Sequence, residues 1–357
     1  MSYFVVFAAA FAVSVLVTPL ARRLSFRLGT VVEPGGRRKH RGLMPTLGGL
    51  PLLLAFLVGV ALVYWLLPPE TADDARRLRG VVLGSVIVVL GGFIDDRWEL
   101  PAVPQFAIQF VGAAVAMSHI IFIELFANPL PVTAVWHTPP LSWVFELRAN
   151  NEVWIWRPLA LFLSLFWMMG MINTVNWLDG LDGLAAGVGT IAALLFAWHS
   201  YRLGQTAVAA FPLVLAGALL GFLIYNFAPA KIFLGTAGAY FLGYQLATLS
   251  ILAPAKYSTA LLVMAVPIMD VAWQIIHRLR MGKNPLRGDR GHLHFRLSDG
   301  GLPTRRIVLG YYGVSAAFGL VAVLAVGPLV KLGVLLVLGT AIFLLLARLS
   351  RHSVHHA

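Results

Sequence analysis

PLALFLSLFWMMGMINTVNWLDGLDGL, residues 158–184, opens as an apolar segment of membrane-spanning grade and closes on two asparagines and two aspartates. An ionised carboxylate inside or beside a bilayer costs about 3 kcal/mol or more, so acids at the end of a span point to function. Asp179 and Asp182 lie three apart. If the helix continues past Asn173, that spacing puts them on one face together with Asn176. Gly180 and Gly183 argue instead for a break at which the backbone can approach a ligand closely. A plain polar turn is the competing reading, since Asp-Gly pairs commonly make turns. It leaves the regular spacing of paired Asn and paired Asp without a reason.

The rest of the chain places this segment in a membrane protein. Of 357 residues, 59% are hydrophobic and 12% charged, and the mean hydropathy is +0.83, values outside the range of soluble domains. With no cysteine, disulfides, thiolate metal sites and cysteine nucleophiles are excluded. Met1 to Ala21 reads as a first span, because no basic region precedes it and no small-residue cleavage site follows it. At roughly 20 apolar residues per span, the expected architecture is an all-α polytopic bundle of about eleven transmembrane helices. They lie near 2–21, 47–67, 80–94, 104–127, 158–175, 184–200, 207–225, 237–253, 259–276, 307–326 and 332–347. The third is short, and a long loop, 128–157, separates the fourth from the fifth. One domain, 1–347, precedes a short tail, 348–357.

The net charge of +12 is explained by orientation and calls for no nucleic acid. Segments 22–46, 95–103, 173–183, 226–236 and 277–306 and the tail hold 19 of the 27 Lys and Arg residues. The positive-inside rule then sets the amino terminus outside and the carboxyl terminus in the cytosol. On that cytosolic side fall Asp95 and Asp96 in FIDDRWEL, Asp179 and Asp182, and Asp270 in VPIMD near the inner half of its span. Beside them are Arg37, Arg38, Lys39, His40 and Arg41, and the loop HRLRMGKNPLRGDRGHLHFRL, 277–297.

Carboxylates gathered with Arg, Lys and His suit a phosphorylated substrate and a divalent cation. Mg²⁺ typically takes one or two carboxylates plus substrate phosphates, and the basic side chains neutralise the remaining phosphate charge. Of the adjacent acids Asp95 and Asp96, one can serve as a base while the other holds a cation. His292 and His294 alternate with Leu293 within a run of arginines, which fits phosphate recognition better than zinc. Asp270 has two readings, a site residue or a structural partner of Arg278 or Arg280. A transporter would need charge buried along its spans, and only Asp270 and Glu124 enter apolar stretches.

NTVNWLDGLDGLAAG (173–187), FIDDRWEL (93–100), RRKHRGLMPTLGG (37–49), VPIMD (266–270) and DRGHLHFRL (289–297) resemble, in the same order, the polyprenyl-phosphate N-acetylhexosamine-1-phosphate transferases. The superfamily includes lipid-linked GlcNAc-1-phosphate transferases and the phospho-MurNAc-pentapeptide translocase of peptidoglycan synthesis. The resemblance implies transfer of a sugar-1-phosphate from a UDP-sugar to undecaprenyl phosphate, with release of UMP, at the cytosolic face of the plasma membrane. It implies Mg²⁺, with Mn²⁺ as a substitute, and a homodimer formed through transmembrane surfaces; small residues at Gly112 to Ala116, Gly187, Gly189, Gly217 and Gly221 permit close helix packing. By position, Asp95 and Asp96 match the catalytic acidic pair. Asp179 and Asp182 match catalytic and metal residues, with Asp96 a third metal ligand. Arg41, Thr46, Asn173, Asn176, Phe233, Arg290, His292 and His294 match substrate contacts. The HLHFR loop resembles the GlcNAc-1-phosphate branch, whereas MPTLGG resembles the translocase.

Five departures from the pattern stand out. Thr236 replaces an Asp that in the family ligates Mg²⁺. Val103, Pro104 and Gln105 stand where a lysine or two usually follow the acidic pair. Phe295 replaces a third histidine, Thr46 a frequent arginine and Glu33 a common aspartate. Without the charge of an Asp at 236, metal affinity should fall, which leaves a catalytically impaired or regulatory homologue as the alternative function.

Overall fold

A computed structural model describes residues 1–35, 42–123, 145–149, 152–252, 256–282, 291–324 and 327–354. Arg37, Arg38, Lys39, His40, Arg41, Glu124 and Arg290 lie outside the described residues. The helices are α1 (Ser2–Leu28), α2 (Gly49–Leu66), α3 (Ala72–Trp98), α4 (Ala102–Ser118), α5 (Pro158–Leu178), α6 (Leu184–Arg202), α7 (Thr206–Asn226), α8 (Gly235–Ile251), α9 (Lys256–Val263), α10 (Ala265–Arg280), α11 (Leu293–Asp299), α12 (Thr304–Leu324) and α13 (Pro328–Val354). Two small antiparallel pairs complete the fold: β1 (Val31–Val32) with β2 (Met44–Pro45), and β3 (Phe145–Ala149) with β4 (Glu152–Trp156). The second pair lies in the long loop between α4 and α5.

Among the described residues, eight helices are long and apolar enough to cross a membrane, or nine if α9 and α10 count as one bent span. The protein is therefore a multi-pass membrane protein. Helices α4 and α8, at 17 residues each, fall just short of that length.

Three boundaries correct the sequence reading. Helix α3 is not short: it has 27 residues and begins in the charged stretch ADDARRLR. The Thr71 hydroxyl oxygen accepts from the Asp74 amide (3.0 Å), while Asp73 and Asp74 in the first turn and Arg97 in the last complement the helix dipole. Helix α4 stops at Ser118, where the Ser118 hydroxyl and the His119 ring both approach the Val115 carbonyl (2.8 Å each). Such local bonds compete with helix propagation. The expected span 259–276 is broken at Met264, with a bend of 73° between α9 and α10. Pro267 has no N–H to give the preceding turn, so it suits the first turn of a new helix and not the interior of an old one.

Helix α8 is the axis of the bundle. Every residue from Ala237 to Ile251 is buried, and α2, α3, α4, α5, α6, α7 and α9 all touch it. Polar side chains set its depth and rotation. Tyr244 Oη donates to the Gly80 carbonyl (2.8 Å) and Gln245 Nε2 to Ser85 Oγ (2.7 Å) on α3, and Trp167 Nε1 of α5 donates to Ser250 Oγ (3.0 Å). Removing one partner of such a buried bond costs about 1–3 kcal/mol.

The small residues that permit close helix packing are used inside the protomer. A Cβ on Gly217 or Gly221 would lie 2.4 Å from the Phe7 carbonyl oxygen or 2.6 Å from that of Phe11, so both glycines let α1 lie directly on α7. Gly112, Gly187 and Gly189 are likewise filled by Val88, Tyr312 and Leu242.

Candidate active site

The carboxyl ends of α3 and α5 and the amino ends of α6, α8 and α12 meet at one end of the bundle, and with them come most of the expected site residues. Helix α5 ends at Leu178, so the polar motif divides. Asn173 and Asn176 are on the last turns of the helix, while Asp179 and Asp182 are on the turn that leads to α6. The asparagines also differ from one another. Asn173 Nδ2 donates to Gln109 Oε1 (2.6 Å) and to the Met169 carbonyl (2.8 Å), tying α5 to α4. The Asn176 side chain has no hydrogen-bond partner among the described residues.

Asp182 Oδ2 accepts from the Ala230 amide (2.8 Å), which joins the α5–α6 turn to the segment between α7 and α8. Two residues of α12 secure the same two segments from outside: Tyr312 Oη donates to the Gly183 carbonyl (2.6 Å) and Arg305 Nε to the Ala228 carbonyl (2.8 Å). Asp179 is held in no such way. Its carboxylate is half-buried and has no hydrogen-bond partner among the described residues. Burial, then the neighbouring carboxylates of Asp182 and Asp96, push its pKa up to about 8.

The Asp95–Asp96 pair is split between two tasks. Asp95 is buried, and its Oδ1 accepts from the Leu100 amide (3.0 Å) and from Gln105 Nε2 (2.9 Å). Gln105, which stands near a lysine position of the family, thus fastens the chain just past α3. Its Oε1 in turn accepts from Tyr240 Oη (3.2 Å). Asp96 reaches across to α8: Oδ1 accepts from the Thr236 amide (2.8 Å) and Oδ2 from the Ala237 amide (3.1 Å), and the Thr236 side chain also hydrogen-bonds to this carboxylate. A carboxylate at a helix amino terminus satisfies amides that lack an intrahelical partner. Gly235 makes the approach possible. Its φ is +71°, and a Cβ there would lie 2.2 Å from the Thr46 carbonyl oxygen and 2.8 Å from Asp96 Oδ2.

Thr46 and Phe233 frame this end. The Thr46 hydroxyl donates to the Thr30 carbonyl (3.0 Å) and its amide lies 3.2 Å from Ser25 Oγ, so Thr46 anchors β2 to the end of α1. The Phe233 amide donates to the Pro45 carbonyl (2.8 Å), which leaves its ring half-buried beside the start of α8.

On the other side of Asp179 lies α11. His294 is fully buried, and its ring stacks on that of His292 (centroids 5.7 Å apart, planes at 11°) and contacts Phe295 (4.3 Å). A Cβ on Gly180 would lie 2.3 Å from His294 Nε2 and 2.6 Å from Phe295 Cζ. The second glycine-bearing turn is therefore moulded to the histidine loop. Gly180→Ala is expected to lower stability by about 1–3 kcal/mol through overpacking, read as a lower unfolding midpoint in detergent. An unchanged midpoint would show that the two rings yield freely.

Asp270 pairs with neither Arg278 nor Arg280 in the hydrogen bonds seen. Its Oδ2 is 2.9 Å from His292 Nδ1, and Oδ1 accepts from the Leu293 amide (2.9 Å). Sequence reading missed Gln105, Gln109, Tyr240, Arg305 and Tyr312 as supports of the site. For Gln109 the signal was present, as an amide within an apolar span.

Among the described residues, no three His, Cys, Asp or Glu side chains converge on one metal position. Mg²⁺ asks for less, since one or two carboxylates suffice when substrate phosphates and water complete the shell. An unpartnered carboxylate whose proton affinity is raised by two neighbouring acids fits that demand.

Comparison with known proteins identifies the scaffold. The sequence model of the family described as Glycosyl transferase family 4 matches residues 78–254, which run from α3 to just past α8. A probable undecaprenyl-phosphate N-acetylglucosaminyl 1-phosphate transferase of Bacillus subtilis is 31% identical over 94% of this chain and 89% of its own length. The chain belongs to glycosyl transferase family 4. Two further relatives are a decaprenyl-phosphate N-acetylglucosaminephosphotransferase of Mycobacterium tuberculosis and a phospho-N-acetylmuramoyl-pentapeptide-transferase of Geobacillus kaustophilus. The first is 33% identical over 92% of this chain and 85% of its own. The second is 29% identical over 88% and 95%.

Proposed function

We propose that this family member transfers an N-acetylhexosamine-1-phosphate from a UDP-sugar to undecaprenyl phosphate at the cytosolic membrane face, a first membrane step of cell-envelope glycan synthesis. The observation that carries this reading is the half-buried Asp179 carboxylate, which has no hydrogen-bond partner among the described residues and lies close enough to Asp182 and Asp96 for their charges to raise its proton affinity. The relatives, named for transfer of hexosamine phosphates to polyprenyl phosphates, support it. The Lys and Arg excess supports the cytosolic placement.

In this reading a lipid phosphate oxygen attacks the β-phosphorus of the nucleotide sugar. The bond from that phosphorus to the oxygen bridging it to UMP breaks, giving a polyprenyl diphosphate sugar and UMP. Positioning and charge stabilisation are most of what such a transfer requires. Asp179 and Asp182, with Asp96 behind them, would hold Mg²⁺, which when bound offsets charge on the pyrophosphate. Asp96 lies close enough to Asp179 for its charge to be felt there, while Asp95 is turned to Gln105, so Asp96 is the better candidate to take a proton from the lipid phosphate. Asn176 and Phe233 border the same end and would contact the nucleotide; His292 and His294 would meet the phosphates or sugar.

A second reading, a catalytically impaired homologue, draws on Thr236, whose amide and side chain both serve Asp96. One assay separates the two: UMP release with undecaprenyl phosphate, Mg²⁺ and a panel of UDP-sugars, for the native chain and for Thr236→Asp. Native activity that disappears with EDTA is expected. In Thr236→Asp, a carboxylate set against Asp96 should lower turnover several-fold. An inactive native chain revived by Thr236→Asp would overturn the proposal, as would solute flux in proteoliposomes without UMP release.

A further inference from the structure

We infer that Asp270 is a positioning residue that locks His292 in a single tautomer and so presents its Nε2 to the phosphate groups of the substrate. The inference rests on the transferase reading above and adds to it a role for a carboxylate that touches none of the three clustered acids in any hydrogen bond seen.

Asp270, on α10, is 3% exposed and His292 5%. The carboxylate is committed on both sides, with Oδ1 2.9 Å from the Leu293 amide and Oδ2 2.9 Å from His292 Nδ1. An ionised carboxylate only accepts, so the proton of this bond sits on Nδ1. Nε2 is then the nitrogen left for a ligand, and it has no hydrogen-bond partner among the described residues. The ring is flanked on two sides. Trp177, two residues before Asp179, lies 6.0 Å away by centroid, and the His294 ring is stacked at 5.7 Å. His294 in turn lies against Gly180. The oriented imidazole thus stands one ring away from the Asp179 turn. A carboxylate that fixes a histidine tautomer is a recurrent device of catalytic and ligand-binding sites.

The same bonds predict what Asp270→Asn does. An amide has one accepting and one donating end. If its oxygen keeps the Leu293 amide, its NH₂ faces Nδ1 and drives the ring proton to Nε2. If its oxygen keeps Nδ1–H, its NH₂ opposes the Leu293 N–H.

The test is ¹⁵N NMR of histidine-labelled protein in detergent, at a pH where the ring is neutral, with the His292 signal assigned by its loss in His292→Ala. Nδ1–H is expected in the native chain and Nε2–H in Asp270→Asn. Turnover in Asp270→Asn should fall roughly 10²-fold with the UDP-sugar KM within about threefold. Asp270→Glu should recover part of it, and Asp270→Asn should cost nothing further in a His292→Ala background. A native Nε2–H tautomer, or an unchanged tautomer in Asp270→Asn, overturns the inference. So does a further loss of turnover in the His292→Ala background. A native chain inactive with every donor would instead sink the transferase reading, and the NMR result would still decide the tautomer.

Discussion

Asp179→Ala is expected to abolish transfer, with UMP release falling about a thousandfold or more while the protein stays folded. The side chain ends α5 in a half-buried position and makes no hydrogen bond among the described residues, so truncation opens no unsatisfied partner. What it removes is negative charge where the substrate pyrophosphate needs a cation. Electrostatic stabilisation of this kind is worth several kcal/mol, and about 4 kcal/mol is a factor of roughly 10³ in rate.

The pKa of about 8 adds a sign that a purely structural aspartate would not give. Without a cation, the folded chain binds a proton at Asp179 that the unfolded chain has released above about pH 4. That contribution to stability is therefore present at low pH and fades as pH rises through about 8. A divalent cation competes with the proton for the same oxygens. Mg²⁺ should bind more tightly as pH rises from 6 to 8, by up to roughly tenfold per unit, and Asp179→Ala should flatten that dependence. The reading is a Mg²⁺ titration of the unfolding midpoint at three pH values. A pH-independent Mg²⁺ response in the native chain would remove Asp179 from the metal site.

The sequence made the class and the site's address legible because both depend on composition and short motifs. Apolar runs mark the spans, and a Lys and Arg bias marks one face. The boundaries were harder to read. ADDARRLR looks like a loop until its Thr71 cap and dipole-matched charges are weighed, and Pro267 looks like a span residue until the broken helix shows that it starts a new one. Within the site, residue type did not reveal task. Asn173 and Asn176 occupy one motif, yet one braces α4 while the other has no hydrogen-bond partner among the described residues. Asp95 and Asp96 are adjacent, yet successive helical positions point about 100° apart, which sends one to Gln105 and the other to α8. The partner of Asp270 lies 22 residues away beyond a basic loop, a distance at which no local pattern can operate.

Asp96→Asn should lower both activity and stability, and the stability change decides what kind of residue Asp96 is. A carboxylate kept only for chemistry is held against its own desolvation and the repulsion of its neighbours. Replacing it with a neutral amide would then leave the fold as stable or make it more so. Here both oxygens accept backbone amides of α8, at 2.8 and 3.1 Å. Asparagine can keep one of those bonds, but its NH₂ must face the other N–H. The loss is one charge-assisted bond plus a buried donor left unmatched, about 2–3 kcal/mol. It falls at the first turn of the helix on which α3, α5 and α6 are packed. A small shift there displaces the side chain at 96 relative to Asp179, so turnover should drop about 10³-fold, more than loss of a proton acceptor alone would give. The checks are chemical-denaturation midpoints in detergent beside UMP release for Asp96→Asn and Asp96→Glu. If Asp96→Asn kills activity and leaves the midpoint unchanged or raised, the bonds to Thr236 and Ala237 are incidental and Asp96 serves the reaction alone.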